Sequence, residues 1–299
     1  DQVHTEDAAY HDMAGLFGFR HTGAACRYPC PPDGAQDHAA CLAEFARRLD
    51  HFLDGEHPTR LTPYRHTDVQ ASVTAARTVY TGNYVLSPAA LKYFIPFAGL
   101  GLRMAGPVLG RLLQAGSGDA FVSANLPMLH RRTVAETGGA EFRPGVDHGA
   151  SIVDLSGEFE RQFFGDVMLF TVIELVKHGY PELMPAADEI GDCVTATAAK
   201  LREHYAENLA RVQARLLELE TTLAAPGGWW QDAADYAQTR ALFAHFAASL
   251  HANFSVDAGP CRLLSDAENC RQRRQAIVDA LLAYNLDREC WERVLQKLS

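Results

Sequence analysis

The stretch that decides the fold lies at residues 182–224 and reads ELMPAADEIGDCVTATAAKLREHYAENLARVQARLLELETTLA. Its apolar residues recur every three or four positions and alternate with charged ones: Leu201, Tyr205, Leu209, Val212, Leu216 and Leu219. This spacing places the apolar side chains on one face of an α-helix. The stretch therefore predicts one long helix or two consecutive helices.

The same spacing, together with capping residues, predicts helices through most of the chain. They are expected over 39–53, 67–80, 119–133, 156–178, 229–251 and 265–298, with a further helical segment that begins at Ser87-Pro88. Strand-like alternation is nearly absent, and residues 1–38 are rich in Pro, Gly and His. The sequence predicts an all-α fold: one globular domain, residues 1–299, of about eight to ten helices with a long irregular N-terminal segment.

The sequence also indicates where helices begin and end. His178-Gly179 resembles a helix C-cap, and Ser265-Asp-Ala-Glu268 resembles a capping box. Pro96 and Pro107 are expected to divide the segment after Ser87 into shorter pieces. Small residues on this segment permit close approach of a neighbouring helix or of a flat ligand: Gly99, Gly101, Gly106 and Gly110.

Charge and hydropathy exclude several classes of partner. The chain has 37 acidic and 27 basic residues, a formal net charge of −10, and no block of Lys or Arg. Nucleic acid and anionic membranes are not expected partners, because both need a basic surface. The most apolar stretch, residues 89–113, is interrupted by Lys92, Arg103 and Arg111, which favours buried helices over a membrane span.

The chain begins at Asp1, as expected of a mature secreted protein after removal of a signal peptide, although an expressed fragment would begin in the same way. It has seven cysteines, at positions 26, 30, 41, 193, 261, 270 and 290. In an oxidising compartment, six form three disulfides and one remains a thiol. In a reducing cytosol, all seven are thiols. Both interpretations remain open on cysteine count alone.

The sequence lacks a Walker loop, a G-x-G-x-x-G turn, a G-x-S-x-G elbow and an H-E-x-x-H pair. One metal hypothesis remains, a helical metal-dependent hydrolase built from His130, Asp147, His148 and His178. These residues do not show the i, i+3 or i, i+4 spacing that places two ligands on one helical face.

The loop Arg27-Tyr-Pro-Cys-Pro31 holds Cys30 between two prolines. Rigidly aimed backbone amides and a nearby arginine favour a thiolate, which is a ligand for iron. The alternative is a structural disulfide from Cys30 to Cys26 or Cys41.

This loop resembles the proximal-ligand motif of the heme-thiolate peroxidases, the family of chloroperoxidase and unspecific peroxygenases. Further segments follow in the family's order: Asn83–Leu102 is similar to a helix leading toward the heme, Asp147-His-Gly-Ala-Ser151 to the acidic cation motif, and Phe163-Phe-Gly-Asp166 to the element after it. The resemblance covers residues 27–222. Asp147 and Gly149 stand where the family has Glu and Asp, and the spacing implies an insertion, residues 45–80.

The resemblance implies a set of site residues. Cys30 would bind the iron of heme b, while Asp147, His148 and Ser151 would hold a divalent cation such as Mg²⁺. The acid–base residue would be Glu220, assisted by Arg215, in an apolar pocket formed by Leu216, Leu217, Leu219 and Leu223. The substrate channel would be lined by Phe94, Phe97 and Leu100. The alternative for Glu218 and Glu220 is that both are solvated helix residues.

The resulting expectation is a secreted heme-thiolate peroxidase or peroxygenase that uses hydrogen peroxide to oxidise small organic substrates. Two alternatives remain at this point. One is the metal-dependent hydrolase described above. The other is a non-enzymatic helical binding or effector protein that acts through a protein partner.

Overall fold

The computed structural model describes residues 38–49, 67–79, 84–126, 147–148, 152–232 and 235–298. Three quarters of them are helical, which confirms the all-α class. The described residues form seven α-helices, slightly fewer than predicted: α1 (His38–Leu49), α2 (Ala105–Ser117), α3 (Ser156–Lys177), α4 (Ala187–Ala224), α5 (Tyr236–Phe254), α6 (Gly259–Ser265) and α7 (Ala267–Leu298). None of these helices is long and apolar enough to cross a membrane.

Four strands of two residues each accompany the helices. Strand β1 (Thr74–Ala75) pairs antiparallel with β2 (Val122–Ser123), with Thr74 opposite Ser123. Strand β3 (Asp147–His148) pairs antiparallel with β4 (Val153–Asp154), with Asp147 opposite Asp154. Short 3₁₀ turns cover Pro88–Tyr93, Ala98–Leu100, Gly118–Ala120 and Trp229–Asp232.

The chain forms two compact units, each assembled from three separate segments. The first contains residues 1–65, 129–159 and 204–262, and the second contains residues 66–128, 160–203 and 263–299. Because neither unit is continuous in sequence, a change in composition along the chain does not mark the boundary between them.

In the first unit, α1 packs on α5. Ala46, Leu49 and Phe243 form a buried cluster, against which Leu219 and Leu223 of α4 also pack. At the start of α3, Phe159 is fully buried against the rings of Tyr205 and Phe254. The Asn253 side chain accepts a hydrogen bond from Leu155 N and donates one to Val153 O, so it ties β4 to α5.

In the second unit, α3 is buried around its circumference. Phe163, Phe164, Val167 and Val172 are fully inaccessible to solvent. Leu109 and Leu113 of α2 form a separate cluster with Val79 and Tyr93, to which Phe94 adds a half-buried ring. Packing of this kind is the main source of helix stability in a folded chain.

Two predicted helices are wrong. Residues 67–79 form a turn followed by β1, and α2 explains why this segment is extended: its Gly106 and Gly110 carry no Cβ, which would collide with backbone atoms of Val79 and Arg77. Val79 N also donates to Gly106 O at 3.1 Å. These two glycines therefore admit an extended backbone segment rather than a helix or a flat ligand.

The helix predicted over 119–133 is wrong where it is described, because Gly118–Ala120 forms a 3₁₀ turn and β2 follows. Residues 127–133 lie outside the described residues, as do residues 50–53 of the first predicted helix. The segment after Ser87 is also shorter than a helix. Ser87 accepts a hydrogen bond from Ala90 N at 3.3 Å, as an N-cap does, but the turn it opens is 3₁₀.

The predicted ends of α3 and α4 are confirmed, whereas the predicted cap of α7 is not. Gly179, with a φ of 97°, is the second residue after the end of α3, and α4 continues unbroken for 38 residues to Ala224, just before the Pro226-Gly-Gly break. At the start of α7 the side-chain cap is Asp266 rather than Ser265, since Asn269 N donates to Asp266 Oδ1 at 2.6 Å.

Candidate functional site

Three of the residues expected in a site lie outside the described residues: Cys30, His130 and Ser151. The remaining candidates are placed on α3, α4, the β3–β4 hairpin and the 94–100 segment, and each is considered in turn.

Glu220 does not have the surroundings expected of a catalytic acid. Its side chain is 43% exposed, and His251 Nε2 lies 3.6 Å from its Oε1. Arg215 pairs with Glu218 instead, at 2.6 Å between exposed side chains. The expectation that Arg215 assists Glu220 is therefore wrong.

The leucines around Glu220 explain its exposure. Leu216 is buried, and Leu219 and Leu223 pack on the cluster formed by α1 and α5, whereas Leu217 is 64% exposed. The apolar face of α4 is thus turned to the core and Glu220 lies outside it. Among the described residues, these leucines do not form the expected apolar pocket around this carboxylate.

The aromatic residues expected to line a channel belong to the packing of the second unit. Phe94 packs on the cluster around Tyr93 and Leu109. Phe97 stacks on Tyr284 of α7, with 5.8 Å between ring centroids and 24° between planes. The carbonyl of Leu100 accepts a hydrogen bond from Arg273 Nη1 at 3.2 Å.

The segment from Phe97 to Met104 is held in an unusual backbone conformation. Phe97 and Met104 both adopt left-handed φ values, 53° and 66°, which non-glycine residues rarely do. Arg161 of α3 holds the segment by donating to Gly101 O at 3.0 Å. The Arg103 amide donates in return to Arg161 O.

The acidic motif forms a hairpin. Asp147 and His148 occupy β3, and four residues in sequence, Ser151 among them, separate β3 from β4. Asp154 lies opposite Asp147, and its Oδ1 accepts a hydrogen bond from Ser156 N at 2.7 Å at the start of α3. Two acidic residues thus occupy opposite register positions in the hairpin.

His178, a residue of the hydrolase hypothesis, is exposed at the end of α3. Its Nε2 lies 3.6 Å from Glu174, which also pairs with Lys177. The Lys177 hydrogen bond and charge hold the pKa of Glu174 below its usual value. Within the described ranges, no group of three or more His, Cys, Asp or Glu residues is arranged to hold a metal ion.

The cysteines depart from the three-disulfide expectation. Cys41 is disulfide-bonded, whereas Cys193, Cys261, Cys270 and Cys290 are thiols. Seven cysteines less these four leave three, enough for one disulfide at most. The expectation of three disulfides is therefore wrong. Burial raises the pKa of both the Cys193 and the Cys261 thiol, which keeps them protonated.

The sequence analysis missed the most deeply buried polar residues, which lie on α3. Glu158, Glu160, Gln162 and Asp166 are each at most 4% exposed. Both carboxylate oxygens of Glu160 bind Arg273 of α7, and Arg273 Nη2 lies 2.8 Å from Glu160 Oε2. The sequence did contain a signal for these buried polar residues: the segment that forms α3 has four acidic residues but no polar face.

Two buried tyrosines lie where α3 ends and α7 passes. Tyr180 OH donates to Leu281 O at 2.8 Å, and Tyr284 OH has no hydrogen-bond partner among the described residues. Burial raises the pKa of both phenols far above the usual value, so both remain protonated at neutral pH.

In comparisons with known proteins, no family model matches the chain, and no curated protein or solved structure matches it.

Proposed function

We propose that this chain is a heme-thiolate peroxidase or peroxygenase, with Cys30 as the axial ligand of heme b and hydrogen peroxide as the oxidant of a small organic substrate. The observation that carries the proposal is the hairpin at Asp147 and His148. This hairpin contains the start of the acidic motif, the third segment of the series that begins with Arg27-Tyr-Pro-Cys-Pro31, and the described part of the chain is mostly helical.

The hairpin register supports a cation site. Asp147 and Asp154 are directly opposite each other in an antiparallel pair, where two like charges destabilise the pairing. A bound Mg²⁺ would remove this repulsion, because carboxylate oxygens are its preferred protein ligands. Asp154 is an addition to the residues expected from the motif, Asp147, His148 and Ser151.

The described residues do not fit a heme site at Glu220. An acid that must hold a proton near neutral pH needs apolar surroundings, and Glu220 is half exposed beside His251. No step of peroxide cleavage is therefore derived through this residue. The proposal assigns the axial ligand and the cation site and leaves the acid–base residue unassigned.

The aromatic segment 94–100 has a supporting role in this proposal. Arg161 and Arg273 hold its carbonyls, and Phe97 rests on the Tyr284 ring. These contacts fix the backbone of the segment and the position of the Phe97 ring. When bound, a thiolate-ligated heme supplies the oxidising chemistry with peroxide.

An absorption spectrum of the full chain, expressed with a heme supply, tests the proposal. We expect a coloured protein whose reduced carbon monoxide complex shows the red-shifted Soret band of thiolate ligation. The Cys30→Ser variant should lose that band, and Cys290→Ser, which changes an exposed thiol, should keep it. A colourless protein, or a band that persists in Cys30→Ser, would overturn the proposal.

The cation site has its own test. Added Mg²⁺ should raise the melting temperature of the wild-type chain, and the rise should be absent in Asp147→Asn and Asp154→Asn. Asp257→Asn, an exposed residue elsewhere in the first unit, is the matched control and should respond like the wild type. An equal response in all four proteins would remove the hairpin as the site.

A further inference from the structure

The last turn of α5 carries the sequence Asn253-Phe-Ser255, which matches the N-glycosylation acceptor pattern Asn-x-Ser/Thr. The pattern occurs once in the 299 residues. An acceptor asparagine normally lies in an exposed loop, because the attached glycan is bulky and hydrophilic. Asn253 instead lies in a helix and is 2% exposed. The place of this pattern in the fold therefore conflicts with its modification.

The side-chain amide of Asn253 is fully engaged as a hydrogen-bond donor. Its Nδ2 donates to Val153 O at 2.7 Å and to Ser249 O at 2.9 Å. Its Oδ1 accepts from Leu155 N at 2.7 Å. An asparagine Nδ2 carries two hydrogens, and both are used here. The nitrogen to which a glycan would be attached is therefore already committed to the contact between α5 and β4.

The residues around this amide are buried as well. Phe254, the middle residue of the pattern, is 1% exposed, and its ring contacts the fully buried ring of Phe159. Ser249 and Leu155, which bond to the amide through their backbones, are also buried. A glycan on Nδ2 would therefore begin inside the core of the first unit, where protein interiors have no free space of that size.

The chemistry of the modification removes one of the two donors. The glycan is transferred from a lipid-linked oligosaccharide diphosphate: a bond forms between the first sugar carbon and Nδ2, the bond from that carbon to the diphosphate oxygen breaks, and a proton leaves the nitrogen. The product amide has one hydrogen on Nδ2, so either Val153 O or Ser249 O loses its donor. A buried carbonyl left without a donor is costly, in addition to the loss of packing.

The order of synthesis lets folding compete with modification. Val153 and Leu155 precede Asn253 by 100 and 98 residues. Both partners are therefore already present in the chain when Asn253 is made, and α5 can pack on β4 as soon as it forms. Whichever event comes first, packing or glycan transfer, determines the fate of that molecule.

We propose that Asn253 is an N-glycosylation acceptor only while the chain is unfolded, and that modification there and the native packing of α5 on β4 exclude each other. In a compartment that glycosylates proteins, the chain divides into an unmodified folded form and a modified form that cannot make the native contacts of Asn253. This inference does not depend on the heme-thiolate proposal, since it concerns only the packing of the first unit.

Expression of the full chain with a cleavable signal peptide in a eukaryotic secretory host tests the exclusion. Peptide mass spectrometry measures occupancy of Asn253 in the secreted and the retained chains. We expect the glycan only in the retained chains, and Phe159→Ala, which removes the ring against Phe254, should increase the modified fraction. A secreted, glycosylated chain with the melting temperature of unmodified protein would overturn the proposal, as would absence of the glycan from every pool, including that of Phe159→Ala.

Two variants separate the acceptor pattern from the hydrogen bonds of Asn253. Ser255→Ala removes the pattern and leaves those bonds in place, so its secreted yield should exceed that of the wild type by the fraction lost to modification. Asn253→Asp also removes the pattern, but an ionised carboxylate donates no hydrogen bond to Val153 O or Ser249 O. Made in a non-glycosylating bacterial host, Asn253→Asp should melt at a lower temperature than Ser255→Ala. Equal melting temperatures would overturn the structural role of the amide.

A relocated acceptor is the matched control for the glycan itself. In a Ser255→Ala background, Thr195→Asn creates a new acceptor pattern with Ala196 and Thr197, and Thr195 is exposed on α4. This chain should be secreted in folded form with the glycan attached. Retention of its glycosylated form would show that a glycan blocks folding wherever it is placed, and would overturn burial of Asn253 as the cause.

Discussion

Helices α3 and α4 both place acidic residues among apolar ones, but α3 buries three of its four carboxylates whereas those of α4 are exposed. The Glu160 side chain on α3 is 5% exposed, against 64% for Glu218 and 43% for Glu220 on α4. Every carboxylate buried away from water needs a cation or several hydrogen bonds. Arg273 of α7 provides that cation for Glu160, whereas the pairs on α4 lie in solvent.

The difference shows which level of structure decides the environment of an acid. Sequence spacing placed Glu220 at a suitable position for a catalytic carboxylate, yet the apolar face of α4 is turned away from it. Glu160 is buried because a different helix covers it and supplies a counter-charge. The environment of a carboxylate on a helix therefore depends on the partner helix more than on its own neighbours in sequence.

The largest predicted effect concerns these ion pairs. Glu160→Gln should lower the free energy of unfolding by about 3 kcal/mol, because it leaves Arg273 partly buried without its counter-charge. Glu218→Gln, which removes the exposed pair with Arg215, should change it by less than about 0.5 kcal/mol. Urea unfolding at an unchanged m-value measures both. Equal losses in the two variants would contradict the contrast between the helices.

Two glycines sharpen the same comparison. An alanine Cβ at Gly165 of α3 would collide with the backbone of Arg103, whereas one at Gly191 of α4 meets nothing within 4 Å. Gly165→Ala should therefore destabilise the protein by about 1–3 kcal/mol. Gly191→Ala should stabilise it by up to about 1 kcal/mol, because alanine favours the helix. Thermal unfolding of the two variants measures this, and a stabilised Gly165→Ala would show that α3 is less tightly packed.

Two tyrosine hydroxyls extend the comparison to the helix ends. Tyr180, just after α3, is 1% exposed and donates to Leu281 O. Tyr236 donates to Leu223 O near the end of α4 and is only half buried. Tyr180→Phe should cost about 1 kcal/mol of unfolding free energy and Tyr236→Phe less than about half of that. A larger loss in Tyr236→Phe, measured by urea unfolding, would reverse the expected order.

The smallest predicted effect is a pH dependence at the turn between the two helices. The hydrogen bond from Arg288 holds the pKa of Glu182 below its ordinary value of 4.5. The pair's contribution to stability is therefore full above about pH 4.5 and is lost as the pH falls through the lowered pKa. The difference in unfolding free energy between Glu182→Gln and the wild type should therefore become smaller as the pH drops from about 6 to about 3. A difference in unfolding free energy that does not change with pH would show that titration of Glu182 does not cause the effect.

The sequence predicted elements that depend on local signals. Gly179 ends α3 where the C-cap pattern placed it, and the periodic stretch through Leu201 and Leu216 forms α4. Prediction from the sequence failed where contacts with a distant segment determine the local structure. Thr74 is in a strand because Ser123 pairs with it, and the backbone near Val79 is extended because Gly106 leaves room for it.

For the candidate site, the prediction from sequence was weaker. The acidic motif at Asp147 was recognised, and its hairpin and the opposing Asp154 follow from pairing that the motif does not encode. Glu220 was selected by its distance along the chain from Asp147, a criterion that says nothing of burial. Glu160 was overlooked, although charged residues in a helix with no polar face signal buried ion pairs.

The division of each unit into three segments has a consequence for synthesis. Residues 66–128 emerge from the ribosome well before residues 263–299, which belong to the same unit and include α7. The interval covers 299 − 128 = 171 residues, or roughly 10–30 s at ordinary elongation rates. During that time the turn Pro88–Tyr93 has α2 beside it but not α7, whose Trp291 donates to Leu91 O, so the packing of the second unit is completed only after α7 has been translated.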